Sequence, residues 1–471
     1  MLGFLFGRHG PSAHAHVMSL VSINPATGRR LHIHGPHTSV QIAAALQLAH
    51  AAFLGWRETA PAFRARHLRN IARALRAQGA GLASVITAEV GKPITQARAE
   101  IEKCAMVCDY YARHGAGYLA DEHPAGAPKN ARIAYEPLGP VLAIMPWNFP
   151  FWQFFRAAAP ALMAGNTLVL KHASNVSGCA LAIARIFADA KLPAGLCQAL
   201  LIRAHEVPAL IADPRIRAVT LTGSTEAGRQ VAALAGSALK PCVFELGGSD
   251  PYLILGDADL ALAAEVCAAS RLVNSGQSCV SAKRFIVVAA VRREFEKRLV
   301  ARMAARRMGD PLDPATAVGP LARHDLRDEL HRQVRQSVRR GARVLLGGRP
   351  AKGAGWFYPP TVLTNVKPGM PAYDEELFGP VAAIIPVRDE AEAVIVANDT
   401  VYGLGAAIFS RDRPRAREIA HQLEAGMVFI NDFVRSDPTL PFGGTKQSGY
   451  GRELGLPGIR AFVNSKTLWI A

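Results

Sequence analysis

Ala218-Val219-Thr220-Leu221-Thr222-Gly223-Ser224-Thr225-Glu226-Ala227-Gly228 is a short apolar run that breaks at a small polar turn and opens into a helical segment. The same order occurs twice upstream. Val141-Leu142-Ala143-Ile144 is closed by Pro146-Trp147-Asn148-Phe149-Pro150, and Thr167-Leu168-Val169-Leu170 leads through Lys171 to a helix expected over 177–190. Strand, polar turn and helix in repetition predict a parallel α/β sheet. Ligands bind such sheets past the carboxyl ends of the strands, which is where these polar residues fall. A second α/β region begins near 248, with buried strands expected at 252–255, 285–288, 342–346 and 381–386.

Outward from these runs, residues 38–80 and 93–119 read as amphipathic helices rich in Ala, Arg and Leu. Residues 121–137, with Pro124, Pro128 and Pro137, leave the main body. Residues 311–320 form a Pro/Asp-rich connection, 435–451 a Gly-rich loop and 466–470 a terminal strand. No internal repeat is present.

A chain of 471 residues calls for two or three domains. Half its residues are apolar and 19% are charged, as in a globular protein. No run approaches the roughly 18 apolar residues of a membrane span. The apolar patch in MLGFLFGRHGPSAHAH is too short for a signal segment. Residues 1–17 are expected to be a disordered extension, or an upstream start before Met18, and the default location is the cytoplasm. The formal charge of +17 raises nucleic acid as a partner. Arg is instead spread along many helical segments without an aromatic-interleaved stripe, so solvated helix faces are expected and no nucleic acid. A positive field would also favour an anionic substrate or cofactor.

Seven cysteines without framework spacing predict reduced thiols. Cys104 and Cys108, at i and i+4, read as one buried helix face. His32, His34 and His37 lack an acidic or Cys companion, so no metal site is expected.

The reactive candidates lie in the polar turns. Cys279 ends Asn274-Ser275-Gly276-Gln277-Ser278-Cys279, and Glu245 stands 34 residues upstream in Phe244-Glu245-Leu246-Gly247-Gly248. A thiol in a flexible turn and a carboxylate from a second Gly-rich turn suit covalent catalysis followed by hydrolysis. A thiolate adding to an aldehyde creates an oxyanion that needs fixed donors; the Asn148 amide and the Cys279 backbone N–H qualify. Taken singly, each has a plainer reading: Cys279 as a buried small hydrophobe, Glu245 as a surface carboxylate, Asn148 as a turn former. Gly223 and Ser224 could hold a pyrophosphate at a helix N-terminus, or Ser224 could simply cap that helix. Lys171 could meet ribose hydroxyls or phosphate, or be structural.

Six motifs occur in order: MPWNFP, LTGSTEAG, ELGG, NSGQSC, EELFGP (375–380) and PFGGTKQSGYGRE (441–453). With them the chain from about residue 20 resembles the aldehyde dehydrogenase superfamily. The resemblance implies an α/β fold with a Rossmann-type cofactor domain (18–118 and 138–247). A catalytic domain (248–440) and a small β oligomerisation element (119–137 and 453–471) complete it. It implies Cys279 as nucleophile, Glu245 as general base and Asn148 as oxyanion-hole amide. Lys171 would contact the adenosine ribose, Gly223 and Ser224 the pyrophosphate, Glu376 and Phe378 the nicotinamide ribose, and Trp147 the cofactor cleft. A homodimer or homotetramer is expected.

The usual family run of Lys-Pro-Ala-Glu or Lys-Pro-Ala-Ser is Lys171-His172-Ala173-Ser174 here. A Glu at the last position would repel a 2′-phosphate; Ser174 leaves room for one, so NADP is expected to be preferred, with NAD also used. His172 in place of Pro departs from the pattern. Within the superfamily the chain looks like the bacterial succinate semialdehyde dehydrogenases. Arg156, among Phe151, Trp152, Phe154 and Phe155, reads as a clamp for a distal carboxylate or as a snorkelling helix Arg; Ser436 matches the family's second carboxylate contact. The Arg that some relatives carry six residues before the nucleophile is Val273 here, and Arg271 nearby is given no role. Ser278 and Val280 flank Cys279, so no local disulfide can form. The rival readings are another aldehyde (glutarate semialdehyde, or an aliphatic or aromatic one), thioester transfer to coenzyme A, and a non-catalytic basic binding protein.

Overall fold

Two sheets carry the chain, one all parallel and one parallel except for a single edge pair. The computed structural model describes residues 19–470, so the extension expected over 1–17 lies outside the described residues. The first sheet has five parallel strands in the spatial order Cys197–Leu200, Thr167–His172, Pro140–Met145, Ala218–Thr222, Cys242–Glu245. The chain starts at the middle strand, winds outward to one side and then crosses to the other. The strand order therefore reverses between Pro140–Met145 and Ala218–Thr222, which places a crevice at their carboxyl ends.

Both faces of this sheet are covered. Val141, Ala143 and Met145 pack into a core built with helices Pro61–Ala77, Ile94–Tyr118 and Trp152–Ala164, while Leu142 packs with Val169, Val219 and Phe244 on the opposite side. That two-residue alternation, apolar on both faces, is why these strands read as continuous apolar runs. Every residue of Trp152–Ala164 is buried. Phe154 and Phe155 there each contribute about 1.5–3 kcal/mol by burial. Cys104 and Cys108 share the buried face of Ile94–Tyr118, as expected, and all seven cysteines are free thiols.

The second sheet has seven strands in the order Arg343–Leu346, Thr361–Thr364, Val381–Val387, Arg284–Val288, Pro251–Ile254, Gly405–Phe409, Met427–Ile430. All pairs are parallel except Arg343–Leu346 with Thr361–Thr364. Each strand expected at 252–255, 285–288, 342–346 and 381–386 is present within a residue at either end. The excursion after residue 121 returns as Ala131–Pro137, which pairs antiparallel with Val463–Trp469 in a separate two-stranded ribbon. No helix among the described residues is long and apolar enough to cross a membrane. No group of three or more His, Cys, Asp or Glu among them could hold a metal ion.

Candidate active site

Polar turns from both sheets meet at the crevice. Carboxyl ends of the first sheet supply Trp147 and Asn148, Thr222 to Ser224, and Glu245. Segments entering the second sheet supply Gly247 and Gly248, Cys279, and Glu376 to Phe378. Cys279 lines two cavities. One, of about 230 Å³, is bounded by Trp147, Asn148, Gly223, Ser224, Glu376 and Phe378. The other, of about 280 Å³, is largely apolar and is bounded by Trp152, Arg156, Cys279, Phe433, Ser436 and Phe442. The thiol therefore sits where the two spaces join.

The turn leading to Cys279 is buried over residues 274–278, with Cys279 itself half-buried, and it is tied down by specific contacts. Asn274, Ser275 and Gly276 all have positive φ (50°, 55° and 79°). For the two non-glycines such a conformation costs about 1–3 kcal/mol each unless its surroundings impose it. Those surroundings are specific. Asn274 Nδ2 donates to Asn148 O (2.7 Å), Ser275 Oγ to Gly319 O (3.0 Å), and Arg271 Nη2 to Gly276 O. A side chain at Gly276 would meet the Gly379 backbone at 2.3 Å, so the NSGQSC and EELFGP motifs clasp each other. Gly248 is equally constrained, since a Cβ there would lie 2.8 Å from the Cys279 carbonyl oxygen.

Asn148 is held for donation toward the thiol. Its Oδ1 accepts from Gln153 Nε2 (2.9 Å), and its Nδ2 donates one hydrogen to Gln277 O (3.0 Å). An amide nitrogen carries two hydrogens, so one remains for an oxyanion. Burial pushes the Cys279 thiol up to about 12, against the opposing pull of Arg156 and Lys283. Glu245 is 1% exposed, and neither carboxylate oxygen has a hydrogen-bond partner. Burial, with Glu453 nearby, holds its carboxyl well above the usual range. It is a buried acid, not the surface carboxylate of the plainer reading.

Arg156 lines the apolar cavity, on the helix expected for it, but its charge is committed. It ion-pairs with the buried Glu453, donates to Thr222 Oγ1 (3.3 Å) and stacks 4.4 Å from the Phe442 ring centroid. Ser436 lines the same cavity and accepts from Lys103 Nζ at 2.7 Å. Val273 lines it too, whereas Arg271 is turned to Gly276.

The cofactor-side residues split between the two readings left open. Ser224 caps helix Thr225–Ser237, accepting from Ala227 N (3.2 Å). The Gly223 amide is used by Glu245 O (3.0 Å). The amides of Ser224, Thr225 and Glu226 at that terminus still suit a phosphate. The Lys171 ammonium makes no hydrogen bond or ion pair among the described residues, and burial lowers it from the ordinary value. Ser174 is exposed, and its hydroxyl has no hydrogen-bond partner among the described residues. A desolvated ammonium without a partner, three residues before an exposed hydroxyl, fits a ribose or phosphate donor set. Glu376 accepts from Gly248 N (3.2 Å) and pairs with Lys283 (3.1 Å); Trp147 and Phe378 meet edge-to-face at 5.8 Å.

His172 has a structural reason for replacing proline. Its Nε2–H donates to Pro150 O (2.9 Å) and its Nδ1 accepts from Ala173 N (3.0 Å), which ties the Lys171 strand end to the turn after Asn148. Acceptance at Nδ1 requires the neutral ring, and burial lowers its pKa to about 4. A lowered His pKa means the unfolded chain takes up the proton first as pH falls. Stability from His172 is complete above about 6.5, the unfolded value, and is lost down to about 4, by roughly 3 kcal/mol. Urea midpoints of wild type and His172→Gln are therefore expected to differ clearly at pH 7.5 and to converge toward pH 4.5.

Four contributors escaped the sequence reading. Glu100 accepts from the Phe151 and Trp152 amides (3.0 and 3.1 Å), capping the helix that carries Arg156, and pairs with the buried Lys92. Lys283 donates to the Ser278 and Cys279 carbonyls (3.0 and 2.7 Å) while pairing with Glu376. Glu453 lay inside a quoted motif without a role, and Lys103 had no local signal.

These features have counterparts in known proteins. A model of the aldehyde dehydrogenase family matches residues 13–468. The succinate semialdehyde dehydrogenase [NAD(P)+] Sad of Escherichia coli (strain K12) is 51% identical over 459 residues, 98% of each chain. A probable succinate-semialdehyde dehydrogenase [NADP(+)] of Synechocystis sp. is 48% identical, covering 96% of this chain and all of that one. The crystal structure of succinic semialdehyde dehydrogenase from Streptococcus pyogenes, in complex with NADP+, superposes with a TM-score of 0.93. It is 37% identical and covers 96% of this chain and 99% of that chain. A match this long, on a fold whose two sheets deliver the same ordered motifs to one thiol, establishes that the chain belongs to the aldehyde dehydrogenase family.

Proposed function

We propose that this chain oxidises succinate semialdehyde to succinate with NADP, and also with NAD. The observation that carries the reading is the position of Cys279 at the junction of an apolar, carboxylate-compatible cavity and a cavity lined by dinucleotide-type donors. The names of its relatives support the substrate and the cofactor.

The Cys279 thiolate adds to the aldehyde carbonyl, and the resulting oxyanion takes the remaining Asn148 N–H and the Cys279 amide. A nicotinamide dinucleotide held in the adjoining cavity would supply the hydride acceptor; loss of hydride from the Cys279 adduct leaves an acyl group on the sulfur as a thioester. Glu245 takes a proton from water as the water oxygen attacks the thioester; succinate leaves with expulsion of the Cys279 thiolate, and Glu245 passes its proton to solvent. Lys171 and Ser174 would hold the adenosine ribose end, the helix start at the Gly223–Ser224 turn would hold the pyrophosphate through its free amides, and Glu376 with Phe378 and Trp147 would hold the nicotinamide end. Arg156 and Ser436 form the far wall that meets the substrate carboxylate.

We also assign residues 18–118 with 138–247 to a cofactor domain, 248–440 to a catalytic domain, and 119–137 with 453–471 to an oligomerisation element. The ribbon of Ala131–Pro137 and Val463–Trp469 supports a two-fold dimer or a dimer of dimers, because Trp469 at its end and Ile470 just beyond are 62% and 58% exposed. Seven free thiols support a cytoplasmic setting.

Reduction of NADP and NAD against succinate semialdehyde, glutarate semialdehyde, butanal and benzaldehyde tests the reading. The expected order places succinate semialdehyde first by at least about tenfold in kcat/KM, with NADP ahead of NAD. Equal use of butanal would remove the substrate assignment, and a strong preference for NAD would remove the cofactor assignment.

A further inference from the structure

The apolar cavity beside Cys279 contains four charged side chains, Glu100, Lys103, Arg156 and Arg435. Three are already neutralised. Glu100 pairs with Lys92 and accepts two backbone amides. Arg156 pairs with Glu453, both side chains being 3% exposed. Arg435 pairs with Asp432 at 2.6 Å and is nearly half exposed to solvent.

Lys103 has no ion-pair partner among the described residues. It lies on helix Ile94–Tyr118, facing the loop that holds Ser436. Its Nζ donates to Ser436 Oγ (2.7 Å) and lies 4.4 Å from the Trp152 ring centroid. A cation held against an indole and a hydroxyl, at the wall of an apolar cavity, is a preformed site for a carboxylate. We propose that Lys103 is the residue that selects aldehydes with a distal carboxylate, binding that carboxylate together with Ser436. This rests on the reading above and moves the main counter-charge from Arg156 to Lys103. Arg156 then becomes chiefly the fixed partner of Glu453.

The surroundings of Lys103 make the selection depend on pH. Burial and the facing Arg156 lower its ammonium to about 8, opposed by Cys104 and Glu100 on its own helix and by Asp437 beside Ser436. Above that pH the cation is lost, so preference for the acidic aldehyde falls as pH rises. The ratio of kcat/KM for succinate semialdehyde to that for butanal isolates this effect, because Cys279 and Glu245 act on both substrates.

The test measures this ratio in the full-length enzyme for wild type, Lys103→Met and Lys103→Arg. Expected is a roughly 30-fold fall in Lys103→Met with the butanal value unchanged, and substantial recovery in Lys103→Arg. In wild type the ratio should decline between pH 7 and 9. An unchanged ratio in Lys103→Met, or equal losses on both substrates, overturns the proposal. If that variant does not fold, a wild-type ratio that stays flat from pH 7 to 9 overturns it. A wild-type enzyme without preference for succinate semialdehyde refutes the substrate reading itself, whereas a preference that survives in Lys103→Met refutes only the role of Lys103.

Discussion

Cys279→Ala is expected to lower aldehyde-dependent NADPH formation by roughly 10⁴-fold or more, because no other group near the two cavities can form the covalent intermediate. The other cavity-lining side chains are Asn, Ser, Thr, Gln, Lys, Arg and Glu, or are apolar, and no second Cys stands there. Removing one partly buried thiol leaves the turn's hydrogen bonds intact, since Asn274, Ser275 and Gly276 make them. Stabilisation by added NADP, measured as a rise in Tm, should therefore match that of wild type. A variant that retains substantial turnover would remove Cys279 from the mechanism. The thiol's high pKa adds a second readout. Alkylation of Cys279 in the unliganded enzyme should be slow at pH 7 and accelerate steadily toward pH 10, because only the thiolate reacts.

Glu245→Gln is the second large effect. Loss of the base blocks hydrolysis, so the first turnover should release about one NADPH per subunit and the steady rate should then fall by roughly 10²–10⁴-fold. Rapid mixing resolves the two phases. The sign of the pH dependence follows from burial: desolvation, with Glu453 nearby, holds the Glu245 carboxyl well above the ordinary range, so its base form appears at higher pH than that of an exposed glutamate. Its base form grows as pH rises, so the wild-type steady rate should climb with pH while that of Glu245→Gln loses this component. A variant with no burst, and with both phases slowed equally, would place Glu245 in activation of Cys279 instead of water.

Committed charge also changes what Arg156 can report. The sequence presents it as an unencumbered clamp among aromatic rings, since nothing within ten residues could neutralise it. Its partner Glu453 stands nearly 300 residues away, and removing Arg156 leaves that carboxylate buried and unpaired beside Glu245. Loss of Arg156 is therefore expected to disturb all substrates, whereas Lys103, with no ion-pair partner among the described residues, can be probed for the distal carboxylate separately.

Local chemistry was readable in the chain because it is written locally. Apolar runs of four or five residues ending in Gly, Ser, Asn or Pro announced the strands and the turns that close them, and the strands lie within a residue or two of where those runs ended. Cys279, Asn148 and Glu245 stood out because each sits in such a turn. The sequence alone thus determined the alternating α/β order, the family and the candidate chemistry. Tertiary structure decided the rest. Lys103 meets Ser436 across 333 residues, and Gly276 meets Gly379 across about a hundred. His172 bonds Pro150 across the sheet top, with a neutral ring that no sequence pattern announces. Periodicity and turn residues report what a segment needs from its own backbone. They carry no information on which distant charge, carbonyl or ring will be packed against it, and in this site those distant partners set which charges are free to act.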